Sequence, residues 1–268
     1  DMRRVYAYLM KHRHIDRDVI THFARAGVLY EDETYHNVVF VGKDETGTAR
    51  HAHKRSTNSI GKAFRQNVLG SDPRYSFHHL GRDGSLFVFE APIDLLSYLT
   101  LYPEEWKEHS YVACCGTSPI PVLTMLQRMK TPQAVYLCLD NDRAGHEASL
   151  KIAEQVGEHF QIASDRLIPE EKDWNEDLCV LREAAKQGMA MGMRLCDAGQ
   201  YMAADFVCRG CDPCNRWTGH ALPALHTGQH QEPHGGRWSV WNRTLGNSEG
   251  DLQDLSEHSV HTADVEKW

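Results

Sequence analysis

Two short apolar runs, each closed by a carboxylate, limit what this chain can fold into more than any other feature. Leu86-Phe87-Val88-Phe89 ends in Glu90, and Ala134-Val135-Tyr136-Leu137-Cys138-Leu139 ends in Asp140, with Asp142 two residues on. Apolar runs of this length, bounded by turn residues, read as strands. Helical patterns lie between and after them. One covers 92–99 with Pro92 in its first turn, one 121–129, and one 145–157 with Ala148, Ile152 and Val156 on one face. A further strand is predicted over 111–115, stopped by Gly116, and a weaker one over 161–167, with a last helix over 175–186. Strand–helix alternation at this spacing predicts an α/β domain with a parallel, helix-flanked sheet.

In such a sheet, functional groups gather beyond the carboxyl ends of the strands. Two of these ends carry acids here. The spacing of Asp140-Asn141-Asp142 aims two carboxylates at one cation, and clustered carboxylates repel unless a cation neutralises them. Mg²⁺ prefers such oxygens, with Mn²⁺ as the alternative. Bound Mg²⁺ polarises a phosphoryl oxygen, and Glu90, one strand away, is placed to move a proton. A single acid at a strand end reads as a solvated loop residue. The two motifs together point to a site.

Three segments carry a family resemblance: Phe87-Val88-Phe89-Glu90-Ala91-Pro92-Ile93-Asp94, then Leu137-Cys138-Leu139-Asp140-Asn141-Asp142-Arg143-Ala144-Gly145, then Lys172-Asp173-Trp174-Asn175-Glu176-Asp177. In order and spacing they resemble the Toprim domain of bacterial primases, topoisomerases, recombination proteins and overcoming-lysogenization-type nucleases. The resemblance covers about residues 81–180. It implies a compact four-stranded parallel sheet between helices and Mg²⁺-dependent strand joining, synthesis or cleavage. By position it implies Glu90 as catalytic acid/base, and Asp140 and Asp142 as metal ligands, with Glu90 in the same metal set. Upstream, Tyr35-His36-Asn37-Val38-Val39-Phe40-Val41-Gly42 and Gly70-Ser71-Asp72-Pro73-Arg74-Tyr75-Ser76-Phe77 resemble the uncharacterised domain that precedes Toprim-like domains in mobile-element and plasmid proteins. Together these imply a primase-like activity in replication or transfer of a mobile element. A Toprim nuclease and a non-catalytic nucleic-acid-binding or scaffold module are the alternatives.

Other residues are candidates around this centre. Lys172, in a loop after a strand, suits phosphate, and Asp173 suits completion of the acidic site. Gly116 would let a phosphate approach the backbone. Arg143 would contact phosphate or pair with Asp140. Asp94 reads as exposed or as a hydrogen-bonded structural residue, Trp174 as a loop anchor and Asn175 as a helix cap. The stretch 50–71 contains no acid but holds Arg50, Lys54, Arg55, Lys62 and Arg65. Lys54, Arg55, Lys62 and Arg65 are therefore predicted to meet a nucleic-acid backbone, single-stranded DNA foremost. Nucleotides and other replication or transfer proteins are further expected partners.

The flanks divide the chain. Residues 1–80 read as a small α+β domain, with helices over 2–12 and 16–26 and strands over 36–41 and 49–54, followed by the Toprim-like domain over 81–186. Asp16 is a plausible cap of the second helix. Residues 187–268 lack Ile and hold four of the six Trp, so an irregular, flexible tail is expected, or a reading-frame change. Cys208-x-x-Cys211-x-x-Cys214 lies there without a second Cys pair, and zinc is not expected at it. Cys114, Cys115, Cys138 and Cys179 read as buried free thiols in a reducing compartment. The net charge of −8 argues against a protein that coats nucleic acid non-specifically. No apolar stretch reaches the roughly 20 residues of a membrane span, and no signal segment opens the chain, so a cytoplasmic protein is expected. A start at Asp1 leaves room for a missing upstream segment.

Overall fold

Along β6 (Ser85–Phe89), side chains alternate between two cores. Leu86 and Val88 enter one, and Phe87 and Phe89 the other. This period of two makes β6 the centre of a sheet covered on both faces. The computed structural model describes residues 2–58 and 64–197, with side chains through residue 188.

The N-terminal region begins with α1 (Arg3–Ala7), which widens into a π turn over Tyr8–His12, and continues with α2 (Arg17–Arg25). Val19, Ile20 and Phe23 are buried along α2. Asp16 takes the N-cap position of this helix as expected, but its carboxylate makes no cap hydrogen bond and instead meets Arg182 at 2.7 Å. Four antiparallel strands follow in sheet order: β1 (Leu29–Glu31), β2 (Val38–Lys43), β3 (Ala49–Arg55) and β4 (Arg65–Asn67).

The second sheet adds β5 (His78–His79), β7 (Ser110–Ala113), β8 (Ala134–Leu137) and β9 (Ser164–Arg166), in the order β5-β7-β6-β8-β9. The four strands β7, β6, β8 and β9 are parallel. The edge strand β5 is antiparallel and extends the four-stranded sheet expected from sequence. The helices are α3 (Pro92–Leu101), α4 (Ile120–Arg128), α5 (Arg143–Phe160) and α6 (Trp174–Asp197). One face of the sheet packs Val122, Leu126, Ile152 and Val156 of α4 and α5. The other packs Leu96 of α3 and Leu178 of α6, in a core continuous with Leu9, Ile20, Phe23 and Phe40 of the N-terminal region. Each such side chain contributes about 1.5–3 kcal/mol on burial. The central helix α3 is buried at nearly every position.

The backbone of α6 remains helical to Asp197, past the expected helix end at residue 186. The rest of the expected tail, Cys208, Cys211 and Cys214 with it, lies outside the described residues, as does Lys62. Cys114, Cys115, Cys138 and Cys179 are free thiols; Cys114 and Cys138 are buried, the other two partly so. No described helix is long and apolar enough to cross a membrane.

Trp174 ties α6 to the sheet. Its indole nitrogen donates to the Cys138 carbonyl at 2.9 Å, and its ring meets Tyr98 edge-on. Removing that buried donor strands the carbonyl, so Trp174→Phe is expected to lose about 1–3 kcal/mol in urea unfolding.

Candidate functional site

The ends of β6 and β8 place the site. Glu90 follows β6 directly, and the β8 ladder continues with Cys138 N–H donating to the Val88 carbonyl before Asp140 turns away from the sheet. Asn141 then pins the neighbouring loop. Its N–H donates to the Lys172 carbonyl at 2.7 Å, and its side-chain amide donates to the Pro169 carbonyl at 3.2 Å. Asp142 caps α5, its Oδ1 accepting the Gly145 N–H at 2.8 Å. Gly145 is required by contact: a Cβ there would lie 2.1 Å from the Asp140 carbonyl oxygen.

The carboxylates crowd one another. Asp140 is only 8% exposed, and its Oδ1 is buried with no hydrogen-bond partner. Burial first, then Glu90, Asp173 and Asp142, push its pKa up to about 7, while Lys172 opposes the rise. Burial also raises the Glu90 pKa. Asp142 and Asp173 add to that rise, and Arg65 and Lys172 oppose it. Asp173 caps α6, accepting the Glu176 N–H at 2.8 Å. Asp94 is fully enclosed. Burial, then Asp173 and Asp140, hold its pKa well above the usual range, against Arg55 and a hydrogen bond from the Asn175 backbone. It is thus not exposed; it is a buried member of the acidic group.

These acids influence one another without forming a closed cage. Among the described residues, no three His, Cys, Asp or Glu are gathered as a set that could hold a metal ion. The donor chemistry nevertheless fits a hard cation. An orphaned buried carboxylate oxygen, surrounded by further acids, lacks the positive charge that would satisfy it.

A cleft of about 270 Å³ opens beside Glu90, lined by His53, Arg65, Gln66, Asn67, Cys115 and Gly116 among others. Gly116 adopts φ +143° after Cys115 at φ +54°, a left-handed stretch that glycine allows, and its N–H donates to the Glu90 carbonyl at 3.2 Å. The β3–β4 edge supplies the other wall. It brings Arg65 to 3.8 Å from Glu90.

The remaining sequence candidates are distributed differently. Arg55 donates to the Tyr8 hydroxyl at 3.0 Å and faces Asp94. Lys54 pairs with Asp32 at 3.7 Å, and Arg50 with Asp44 at 2.6 Å. Arg143 pairs with Glu147 at 2.7 Å on the exposed side of α5, not with Asp140. Lys172 is an exposed loop residue whose carbonyl anchors Asn141. Asn175 is not the cap of α6, a role Asp173 takes. It is buried, bonding Arg13 through both side-chain atoms and also the Ser97 hydroxyl.

Sequence reasoning missed Arg166. At the end of β9 it donates from Nη2 to the Asp140 carbonyl at 3.0 Å and from Nη1 to His146 Nδ1. A charged residue in a three-residue strand offers no pattern that would single it out.

Two families match along the chain. Residues 7–83 match a family described as a protein of unknown function, DUF3991, and residues 87–178 match the Toprim-like family. An uncharacterised pXO2 plasmid protein of Bacillus anthracis is 30% identical over 153 residues, 53% of this chain and 44% of that protein. A DNA primase of Mycoplasma pneumoniae is 30% identical over 97 residues, 34% of this chain and 15% of that protein. The chain thus spans less than half the length of either relative. The primase fragment of the bacteriophage T7 primase-helicase protein is a structural neighbour at TM-score 0.49 and 16% identity, over 67% of this chain and 71% of that one. The chain thus carries a Toprim-like domain over residues 87–178, preceded by a DUF3991 domain over residues 7–83.

Proposed function

We propose that this chain makes or breaks phosphodiester bonds in nucleic acid with a divalent cation, as a primase-like nucleotidyltransferase in replication or transfer of a mobile element. The observation that carries the reading is the Asp140 carboxylate, orphaned at Oδ1 among Glu90, Asp142 and Asp173. The partial matches to a DNA primase and to a plasmid protein support the polymerising reading and the mobile-element setting.

Asp140 and Asp142, with Glu90 adjoining, would hold Mg²⁺, with Mn²⁺ as substitute. When bound, the ion polarises a phosphoryl oxygen and offsets charge on the attacking or leaving oxygen. Glu90 has its proton affinity raised by burial and takes or returns the proton of that oxygen. Arg65, at the cleft beside Glu90, receives phosphate, and Gly116, whose own N–H is held by the Glu90 carbonyl, leaves room for it to approach. Lys172 and Asp173 tune the charge of the acidic group, Asp173 adding to the raised proton affinity of Asp140 and Lys172 opposing it. The N-terminal region holds single-stranded DNA with Arg65 at the cleft foremost, since Lys54 and Arg55 are engaged by Asp32 and Tyr8, and Arg143 reaches phosphate from the exposed face of α5.

The test is a primer-synthesis assay with single-stranded DNA, four nucleoside triphosphates and Mg²⁺, repeated after chelation with EDTA. Metal-dependent oligonucleotide synthesis is expected. Strand cutting instead would move the site to nuclease chemistry, with water as nucleophile. Neither activity, with DNA binding retained, would leave a binding module and sink the enzyme reading.

A further inference from the structure

We propose that Arg166 is a positioning residue that clamps the main chain of Asp140, leaving the Asp140 carboxylate free to serve a cation. This rests on the reading that Asp140 is a metal ligand.

The strand register sets the geometry. Arg166 pairs with Leu137 across the parallel β8–β9 ladder, so its side chain leaves the sheet where β8 runs into Asp140. Nη2 donates to the Asp140 carbonyl at 3.0 Å, and Nη1 to His146 in the first turn of α5. Asp142 acts on the guanidinium through space, yet Arg166 makes no ion pair among the described residues. An arginine within reach of an acid such as Asp142 would ordinarily seek a carboxylate fork. This one grips a peptide carbonyl and an imidazole. Its Nε is left buried without an acceptor, a costly state for a donor. Stability alone does not account for that arrangement.

The gripped carbonyl is the one against which Gly145 packs so closely that no Cβ fits. The Asp140 peptide is therefore held from two sides, by steric contact with α5 and by a charged hydrogen bond from β9. Its carboxylate Oδ1, by contrast, has no protein partner. A rigid main chain beneath an unengaged side chain is the arrangement that presents a ligand atom to an ion. Arginine suits the task because its planar fork reaches two acceptors in fixed geometry, where lysine presents a single flexible point charge. Groups that orient metal ligands typically change affinity by 10–100-fold when removed.

The competing explanation is charge balance: a cation placed near acids to relieve their repulsion. The two differ in sign. Mn²⁺ affinity, read from the electron paramagnetic resonance signal of the free ion, is compared for the full chain and for Asp140→Asn, Arg166→Lys and Arg166→Met. Thermal midpoints are taken in EDTA. Positioning requires both Arg166 variants to bind Mn²⁺ about 10–100-fold more weakly than the unmodified chain. Charge balance would leave Arg166→Lys unchanged and make Arg166→Met bind more tightly, which overturns the proposal. Unchanged affinity in both variants, whatever their midpoints, overturns it too. Should Arg166→Met not fold, the lysine variant decides alone, since it keeps the charge and most of the stem. If the unmodified chain binds no Mn²⁺, the metal reading falls and this inference with it. If the unmodified chain binds and Asp140→Asn does not, a negative result at Arg166 counts against this inference only.

Discussion

Asp140→Asn is expected to stabilise the metal-free protein at pH 8 by about 2 kcal/mol while abolishing its response to divalent ions. Burial and neighbouring acids lift the Asp140 pKa from an ordinary 3.8 to about 7. A carboxyl raised in this way supports the fold while protonated. Its contribution is complete below about pH 4 and is lost as pH rises through about 7. A tenfold change in proton affinity is worth about 1.4 kcal/mol, and entry of water and local relaxation keep the realised effect below what the whole rise would give. The amide cannot ionise, so the difference between variant and parent should appear above pH 7 and vanish below pH 4. Urea unfolding in EDTA at the two pH values measures it; a variant less stable than its parent at pH 8 would refute the account. With Mg²⁺ present the order reverses. Ligand at a hundredfold excess over its dissociation constant adds about 2.7 kcal/mol to the parent, and the variant should gain little of this. Activity should fall with the lost site. Glu90→Gln is expected to lower turnover by about 10²–10⁴-fold, the usual worth of a positioned proton-transfer group.

Gly145→Ala should be destabilising even though alanine is the better helix former. In an exposed helix interior the exchange would gain about 1 kcal/mol. At Gly145 the new methyl would sit 2.1 Å from the Asp140 carbonyl oxygen and 3.0 Å from the Asp140 nitrogen and carbonyl carbon. These are backbone atoms with no rotamer to yield, so α5 or the Asp140 peptide must shift. Overpacking of this kind costs about 1–3 kcal/mol, and the shift also disturbs the Asp142 cap. The same helix contains its own control. A Cβ at Gly157 meets nothing within 4 Å, so Gly157→Ala should stabilise by up to about 1 kcal/mol. Denaturant midpoints of the two variants moving in the same direction would contradict the steric argument.

Much of this architecture is visible in the residues. The runs ending at Glu90 and Asp140, the Gly116 stop and the apolar face of α5 each carry a local pattern. Short edge elements carry none. The strand β4 is Arg65-Gln66-Asn67, exposed at every position, and β5 is His78-His79. Both exist because a neighbouring strand offers backbone groups to pair with, which leaves no periodicity behind. The widening of the first helix into a π turn at Tyr8–His12 is equally silent in the sequence.

The candidate site divides in the same way. The identities of Glu90, Asp140 and Asp142 at strand ends are local facts, legible because an apolar run and the acid that stops it are adjacent in the chain. Sequence alone therefore indicated an α/β sheet with acids at its carboxyl edge. It did not reveal that Asp94 is enclosed within the acidic group, that Arg65 crosses the cleft to Glu90, that Arg13 reaches Asn175, or that Arg166 holds the Asp140 carbonyl. Each of these joins residues distant in the chain through one hydrogen bond or charge contact, and such contacts impose no repeating pattern. Burial, charge coupling and side-chain direction arise only when separate elements meet, so the tertiary structure alone decided them.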